Sequence, residues 1–226
     1  MDSNAFTADL CPDGTPFKYI KDVGAVPGGN AYLLDTGKTT LLFDSGFGCG
    51  GDILVNNLES ALAGRSLDYI LLSHSHYDHA GGSPWCAARW PEVKIISSQK
   101  TKSVFARPGA RAVMRRLDAS ASQLHRISSE NDFFDNLRVD IVLGDGEEFS
   151  ANGISFMLIM FPGHTNCSAG FWFPESRLLL ASETLGVYAG GSTVTPAFLV
   201  GFKSGIDSIN RALSMDIRHM LVPISA

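Results

Sequence analysis

A dense group of metal-binding side chains lies in His74-Ser75-His76-Tyr77-Asp78-His79, a segment with three of the chain's six histidines. Imidazoles two positions apart on an extended segment point the same way, so His74 and His76 can bind one ion together. Asp78 and His79 lie on the turn that follows, where they can face a second ion beside the first. A lone loop histidine is usually a surface or core residue, whereas this density of ligand types favours a metal site.

Two further candidate ligands follow apolar segments later in the chain. His164 comes after the most apolar segment, within Pro162-Gly163-His164-Thr165, and Glu183 comes after the apolar segment 177–182. Each is a weak candidate when it is considered alone. Because both stand at the ends of predicted strands, as the histidine group does, all of them fit one site. Loops at strand ends also leave a coordination position open for water and substrate.

The hydrophobic pattern predicts the elements that must position these residues. Residues 69–72, directly before the histidine group, form a short apolar run that suits a buried strand. The other predicted strands are 19–26, 31–35, 39–43, 93–97, 138–143, 147–150, 154–161, 169–173, 177–182 and 220–222. The predicted helices are 52–63, 83–89, 110–127 and 204–214. Strands in two batches, each followed by helices, predict an α/β fold of two packed sheets with helices outside.

Composition excludes several classes of protein. With 226 residues, 45% of them hydrophobic, the chain has enough apolar material for one full core and too much for a disordered protein. A net charge of −5 argues against a general nucleic-acid binder, and no apolar run is long enough for a membrane helix. The N-terminus does not resemble a signal peptide, and the four cysteines form no C-x-x-C pair. We therefore expect one cytoplasmic domain, 1–226, with reduced thiols.

Four motifs occur in one order and cover about residues 19 to 223: Phe-Asp-Ser-Gly (43–46), Ser-His-Ser-His-Tyr-Asp-His-Ala-Gly-Gly (73–82), Pro-Gly-His-Thr (162–165) and Ser-Glu-Thr (182–184). In these motifs the sequence resembles the metallo-β-lactamase superfamily of metal-dependent hydrolases. The resemblance implies a four-layered αβ/βα sandwich of two mixed β-sheets with outer helices, and a dinuclear site at one edge of the sheets. It assigns His74, His76 and His164 to the first metal ion. It assigns Asp78 and His79 to the second ion, with Glu183 as the bridging ligand.

Two positions depart from the family pattern. The family usually has aspartate where Glu183 stands; glutamate has the same headgroup on a longer arm, so it can still bridge while metal spacing or identity changes. The family also usually adds a histidine just after its last strand, whereas Pro223 is followed here by Ile224-Ser225-Ala226. His219 precedes that strand and is expected at its wrong end. The second site is therefore weak, or is completed by water or another residue, or the natural polypeptide continues beyond residue 226.

These features predict a metal-dependent hydrolase that acts on a small ester, thioester or lactone. Two divalent ions, zinc in the first place and iron or manganese otherwise, would bind a bridging water and lower its pKa toward neutrality, which supplies hydroxide. Asp78 would orient this nucleophile and is the candidate catalytic residue. The alternative is a catalytically degenerate ligand-binding or sensory protein, which Glu183 and the missing last histidine favour.

A basic segment points to the kind of substrate. Residues 89–126 contain nine Lys or Arg against two acidic residues, a local charge of +7. Such a run is usually a solvated helix face. Its functional interpretation is a basic rim, on a helical insertion at about 99–130, that attracts an anionic small molecule such as a coenzyme A or glutathione thioester. Tyr77, Arg111 and Arg115 are the candidate substrate-binding residues.

The predicted helix 110–127 also carries an apolar stripe from Val113 to Ile127. The stripe is interpreted as core packing or as a homodimer contact. We expect a small-molecule substrate as the partner of the site, and neither nucleic acid nor a membrane.

Overall fold

The computed structural model describes residues 14–127, 131–190 and 193–223, which form two main β-sheets with helices on their outer faces. The strands of the first sheet, in their order across it, are β1 (Tyr19–Asp22), β2 (Tyr32–Asp35), β3 (Thr40–Phe43), β4 (Tyr69–Leu71), β5 (Lys94–Ser98) and β6 (Ile141–Leu143). The second sheet contains β7 (Glu147–Ala151), β8 (Ile154–Met160), β9 (Ala169–Phe173), β10 (Leu178–Leu180) and, beyond β10, β13 (His219–Leu221). A two-stranded ribbon is formed by β11 (Val187–Tyr188) and β12 (Val194–Thr195).

Six α-helices surround the sheets within the described ranges. They are α1 (Gly51–Leu62), α2 (Tyr77–Ala80), α3 (Ser83–Arg89), α4 (Gln99–Phe105), α5 (Pro108–His125) and α6 (Phe202–Leu213). Short 3-10 turns occupy Gly48–Gly50 and Phe134–Asn136. No helix in this part of the chain is both long and apolar enough to cross a membrane.

Three apolar cores separate four layers. In β3, Leu41 and Phe43 face the second sheet while Leu42 faces the helices, because successive strand side chains point to opposite faces. The central core joins the two sheets through side chains such as Phe156 and Phe171. Helix α1 packs on the outer face of the first sheet, and α6 packs on that of the second. The predicted α/β sandwich of four layers is therefore confirmed.

The strand directions place four loops at one edge of the sandwich. β3 and β4 run parallel, so the loops that follow them leave the first sheet on the same side. In the second sheet, β8 and β10 each run antiparallel to β9 and therefore parallel to each other. The backbone N–H of Ala169 donates to the Ser73 carbonyl over 2.9 Å and joins the two sheets at this edge. The loops after β4, β8 and β10 carry the predicted ligands.

The interpretation of the stripe from Val113 to Ile127 as core packing holds for only part of it. Met114 and Ala121 are buried, whereas Val113 and Leu117 are 45% and 41% exposed and Leu124 is 78% exposed. Asp118 joins Met114 and Ala121 on the buried face of α5. A polar contact explains which face of the helix is buried. The Asp118 carboxylate accepts a 2.8 Å hydrogen bond from the buried backbone N–H of Gly48, and this bond fixes the rotation of the helix.

Several predictions concern residues that lie outside the described ones. These include Cys11, residues 128–130 of the predicted helical insertion, and Ile224-Ser225-Ala226 after the last strand. The other three cysteines, Cys49, Cys86 and Cys167, are buried free thiols, as the sequence predicts.

Candidate metal site

Three histidines and one glutamate converge at the common edge of the two sheets. One ligand atom from each of His74, His76, His164 and Glu183 lies within 4.8 Å of all the others. His76 Nδ1 is 3.0 Å from His164 Nε2, and Glu183 Oε2 is 2.5 Å from His164 Nε2 and 3.6 Å from His74 Nε2. The structure therefore brings together residues that are separated by more than a hundred positions in the sequence.

The local backbone explains why His74 and His76 share a side. The backbone is extended at His76, and the intervening Ser75 points away from the cluster, with its Oγ 3.3 Å from Cys167 Sγ. Asp78 and His79 follow on the single turn of α2. His79 Nε2 lies 3.5 Å from Glu183 Oε2 and 3.8 Å from Asp78 Oδ2. Glu183 Oε2 thus stands between the three-histidine group and the pair Asp78–His79.

The donor set fits a divalent metal ion. His74 Nε2 is buried without a hydrogen-bond partner among the described residues, a costly state that a coordinated ion would relieve. The 3.0 Å between His76 Nδ1 and His164 Nε2 is close to the roughly 3.3 Å that separates two ligands of a tetrahedral zinc ion. Imidazole and carboxylate donors suit zinc, iron and manganese.

Asp44 and Ser73 support the cluster from behind, and sequence reasoning gave neither of them a role. The Asp44 carboxylate accepts hydrogen bonds of 2.8 Å each from Ser73 N, Ser73 Oγ and His79 Nδ1. Since the Ser73 hydroxyl proton goes to Asp44, His74 Nδ1–H donates to Ser73 Oγ over 2.9 Å. Both rings therefore turn their Nε2 atoms toward the cluster, and a hydrogen bond at the other ring nitrogen is what orients metal-binding histidines.

The electrostatic surroundings favour the metal-binding protonation states of His74, His76 and Glu183, whereas those of His79 favour its protonated form. Burial lowers the pKa of His74 well below its ordinary value, and burial together with His164 lowers the pKa of His76. Burial alone would raise the pKa of Glu183, but hydrogen bonds from His164 and His79 outweigh it and lower this pKa. Burial would also lower the pKa of His79, yet the adjacent Asp44 charge raises it well above its ordinary value. Neutral imidazoles and an ionised carboxylate are the forms that bind metals.

The glycines of the 73–82 motif allow the ligand turn to pack against the loop after β3. Ser45 N and Oγ donate to the His79 carbonyl over 2.7 and 2.9 Å, and Gly82 N donates to the Gly46 carbonyl. A Cβ atom at Gly82 would overlap with the Ser45 carbonyl oxygen. Close contact between these two backbones therefore requires glycine.

We expect Gly82→Ala to lower the free energy of unfolding by about 3 kcal/mol, the upper range for overpacking, because the Ser45 backbone cannot move without disturbing Asp44. Urea denaturation of the purified protein measures this loss. Gly109→Ala is the matched control, since no atom lies within 4 Å of a Cβ there, and it should be neutral or slightly stabilising. Equal stabilities of the two variants would contradict the packing argument.

The side chains of the candidate substrate-binding residues already contact neighbouring side chains. The ring of Tyr77 packs edge-on against Phe47 with 5.5 Å between centroids. Arg111 pairs with Asp135 at 3.2 Å, and Arg115 pairs with both Asp132 and Asp135. Their role in substrate binding stays a prediction that this geometry does not favour.

His219 lies at the opposite end of its strand from the site. β13 runs parallel to β10 with Leu178 opposite His219, and Glu183 follows the other end of β10. This register agrees with the expectation that His219 lies at the end of the last strand that is remote from the site.

An αβ/βα sandwich with a buried histidine and carboxylate group at one sheet edge is the architecture of a metal-binding hydrolase class. The model of the metallo-beta-lactamase superfamily matches residues 24–221, and the chain belongs to this superfamily. It is a superfamily of metal-dependent hydrolases that bind divalent metals.

Curated relatives with similar sequences include a hydrolase and a thioesterase. The chain is 27% identical over 194 residues to a Beta-lactamase-like protein 2 homolog of Caenorhabditis elegans, which covers 85% of this chain and 53% of the relative. It is 31% identical over 123 residues to a hydroxyacylglutathione hydrolase of Prochlorococcus marinus, covering 54% of this chain and 37% of the relative. An atrochrysone carboxyl ACP thioesterase of Aspergillus fumigatus is 26% identical over 70% of this chain and 40% of its own length. The chain thus spans about half or less of these relatives.

Solved structures show the same fold. A metallo-beta-lactamase superfamily protein of Sulfolobus tokodaii superimposes with a TM-score of 0.69 at 21% identity. The match covers 92% of this chain and 80% of that protein.

Proposed function

We propose that the protein is a hydrolase of small esters and thioesters, including lactones, that uses two divalent metal ions. The observation that carries the proposal is the position of Glu183 Oε2, which lies within 3.6 Å of imidazole nitrogens from His74, His79 and His164. One carboxylate oxygen between two groups of ligands is suited to bridge two ions. The hydrolase and thioesterase names of the relatives support this class of reaction.

The ligands divide into two groups. His74, His76 and His164 would hold one ion, Asp78 and His79 would hold the other, and Glu183 would contact both. When bound, such ions lower the pKa of water toward neutrality and polarise the substrate carbonyl. Zinc is the expected metal, with iron and manganese as the alternatives that the same donors accept.

Asp78 is suited to accept and donate the proton that the reaction transfers. Its side chain is 24% exposed, more open than that of His79, so it lies where water and substrate enter. A water molecule would add to the carbonyl carbon while the bond from that carbon to the leaving sulfur or oxygen breaks. The Asp78 carboxylate would orient this water, accept its proton and deliver the proton to the leaving group.

One observation favours the alternative, a ligand-binding or sensory protein without turnover. Glu183 carries a longer arm than the aspartate usual in the family, and its Oε2 reaches within 2.5 Å of His164 Nε2. In such a direct contact the two ligand residues bind each other, and this contact competes with metal binding.

Removing the metal distinguishes these functions. We expect elemental analysis of the purified protein to find about two equivalents of zinc, iron or manganese. Dialysis against a chelator should abolish hydrolysis of a panel of acyl thioesters, aryl esters and lactones, and re-addition of the metal should restore it. The metal should also raise the unfolding free energy, by about 3 kcal/mol when its free concentration is 100 times its Kd.

The outcomes separate the two proposals. Metal-dependent hydrolysis of any substrate in the panel supports the enzyme. Bound metal without turnover of the whole panel would favour the ligand-binding protein. A folded, inactive protein that neither retains nor takes up metal would overturn the enzyme and leave the ligand-binding protein.

A further inference from the structure

A groove of about 550 Å³ opens beside the segments that carry the candidate metal ligands. One wall is the exposed side of α4 and the residues after it, including Lys100, Ser103 and Arg107. The other wall is the loop that carries His164, with Thr165 and Asn166. Ser75, between His74 and His76, also lines the groove, so the groove adjoins both backbone segments that carry the three first-ion histidines.

The charges in this groove are unbalanced. Among the described residues that line it, none is acidic, although the whole chain has a net charge of −5. Lys100 and Arg107 are exposed, and neither forms an ion pair with any acidic group in 14–127, 131–190 or 193–223. By contrast, Arg111 and Arg115 of the same basic segment are neutralised by Asp132 and Asp135.

A neutral hydrogen-bond donor accompanies the two cations. The exposed side-chain amide of Asn166 lies on the wall opposite Lys100 and Arg107, whereas the Ser103 hydroxyl already donates to the Gln99 carbonyl over 2.9 Å. A groove that offers two unpaired cations and a neutral donor, and no carboxylate to repel a ligand, is suited to an anion.

We propose that this groove binds the negatively charged part of the substrate through Lys100 and Arg107. The bound group is a carboxylate or phosphate that the substrate carries away from its reacting carbonyl. This inference rests on the proposed function for the reacting end, and it assigns the anion to the groove beside α4 rather than to Arg111 and Arg115.

The variants Lys100→Ala and Arg107→Ala test the proposal. Each should raise the KM for a charged thioester about tenfold, the loss expected for one hydrogen bond to a charged group, and the double variant should raise it further. The kcat values should stay the same, because neither residue contacts the reacting atoms. Lys102→Ala is the matched control: it removes the same charge from the same exposed helix, outside the residues that line the groove.

Three acetyl thioesters identify the anion. Acetyl-glutathione carries carboxylates, acetyl-coenzyme A carries phosphates, and the thioester of N-acetylcysteamine is neutral. A KM increase for only one of the charged thioesters identifies its group as the ligand, provided that the neutral thioester is unaffected. Equal KM increases for charged and neutral thioesters, or the same increase in Lys102→Ala, would overturn the proposal.

A binding measurement separates the groove from the reaction. Calorimetry on metal-free protein with S-methylglutathione and with desulfo-coenzyme A needs no turnover. If wild type binds one of them and both groove variants bind it about tenfold more weakly, the groove assignment holds even where no thioester is hydrolysed and the proposed function fails. If wild type binds neither probe, or the variants bind as wild type does, the groove assignment is wrong whatever the enzyme hydrolyses.

Discussion

Replacing His76 with alanine is expected to lower kcat/KM for the best ester or thioester by about a thousandfold or more. The reason is the loss of a ligand whose Nδ1 lies 3.0 Å from His164 Nε2 in the middle of the cluster. Metal ions supply several kcal/mol of transition-state stabilisation, and each 1.4 kcal/mol is tenfold in rate. Steady-state kinetics, with elemental analysis of the same sample, measures both losses.

The variant should keep its fold, which makes the result interpretable. His76 is half-buried and precedes α2 without capping it through its side chain, so alanine removes no helix contact. His219→Ala is the matched control, because His219 is also half-buried but lies at the far end of β13. It should retain metal and turnover. Wild-type rates in His76→Ala, or equal losses in His219→Ala, would contradict the assigned ligands.

The ligand residues could be predicted from sequence because local rules decide where they point. The two-residue spacing of His74 and His76 sets a shared side on any extended segment. His164 and Glu183 needed only the placement of their strand ends, since β8 and β10 run in the same direction. An error of one or two residues in a strand boundary leaves these side chains at the same edge.

The supporting residues could not be predicted, because their roles depend on tertiary packing. Asp44 ends a strand as many turn aspartates do, and nothing local shows that its carboxylate contacts His79, 35 residues later. Its backbone has a φ of 53°, a left-handed value that aspartate tolerates better than most residues. The burial of Asp118 is equally hard to predict from sequence. A charged residue on a helix is expected at the surface, yet Asp118 is buried where it accepts a hydrogen bond from Gly48 N.

Helix α4 lies within the helical insertion predicted at about 99–130, but the pattern does not resolve it as a separate helix, for a different reason. It buries only Thr101 and Phe105, so its apolar periodicity is weak. The available signal was a cap: Ser98 Oγ accepts a hydrogen bond from Thr101 N at the start of the helix. Without α4, the sequence could assign a basic segment to the substrate but could not tell which of its cations face a groove.

Replacing Asp44 with alanine should lower the free energy of unfolding by about 3–5 kcal/mol, as expected when one partner of a buried charged network is removed. Asp44, Ser73 and His79 are all at most 2% exposed, so the groups that lose Asp44 cannot turn to water. Alanine also fits the left-handed backbone poorly. Metal affinity should fall as well, by 10- to 100-fold, because His79 and His74 lose the contacts that orient them. Urea denaturation and competition with a chelating dye measure the two quantities.

Asp44→Asn separates the charge of this residue from its shape. Asparagine tolerates the left-handed backbone and can still accept a hydrogen bond from Ser73, so most of the stability should remain. Its amide is neutral and no longer stabilises the His79 ring as a carboxylate does, so metal affinity should fall even where stability does not. Asp207→Ala, which removes an exposed ion pair with Lys203, should change stability by about 0.5 kcal/mol and metal affinity not at all. If Asp44→Asn binds metal as wild type does, then Asp44 serves the fold alone, and the orientation of His74 and His79 comes from their packing.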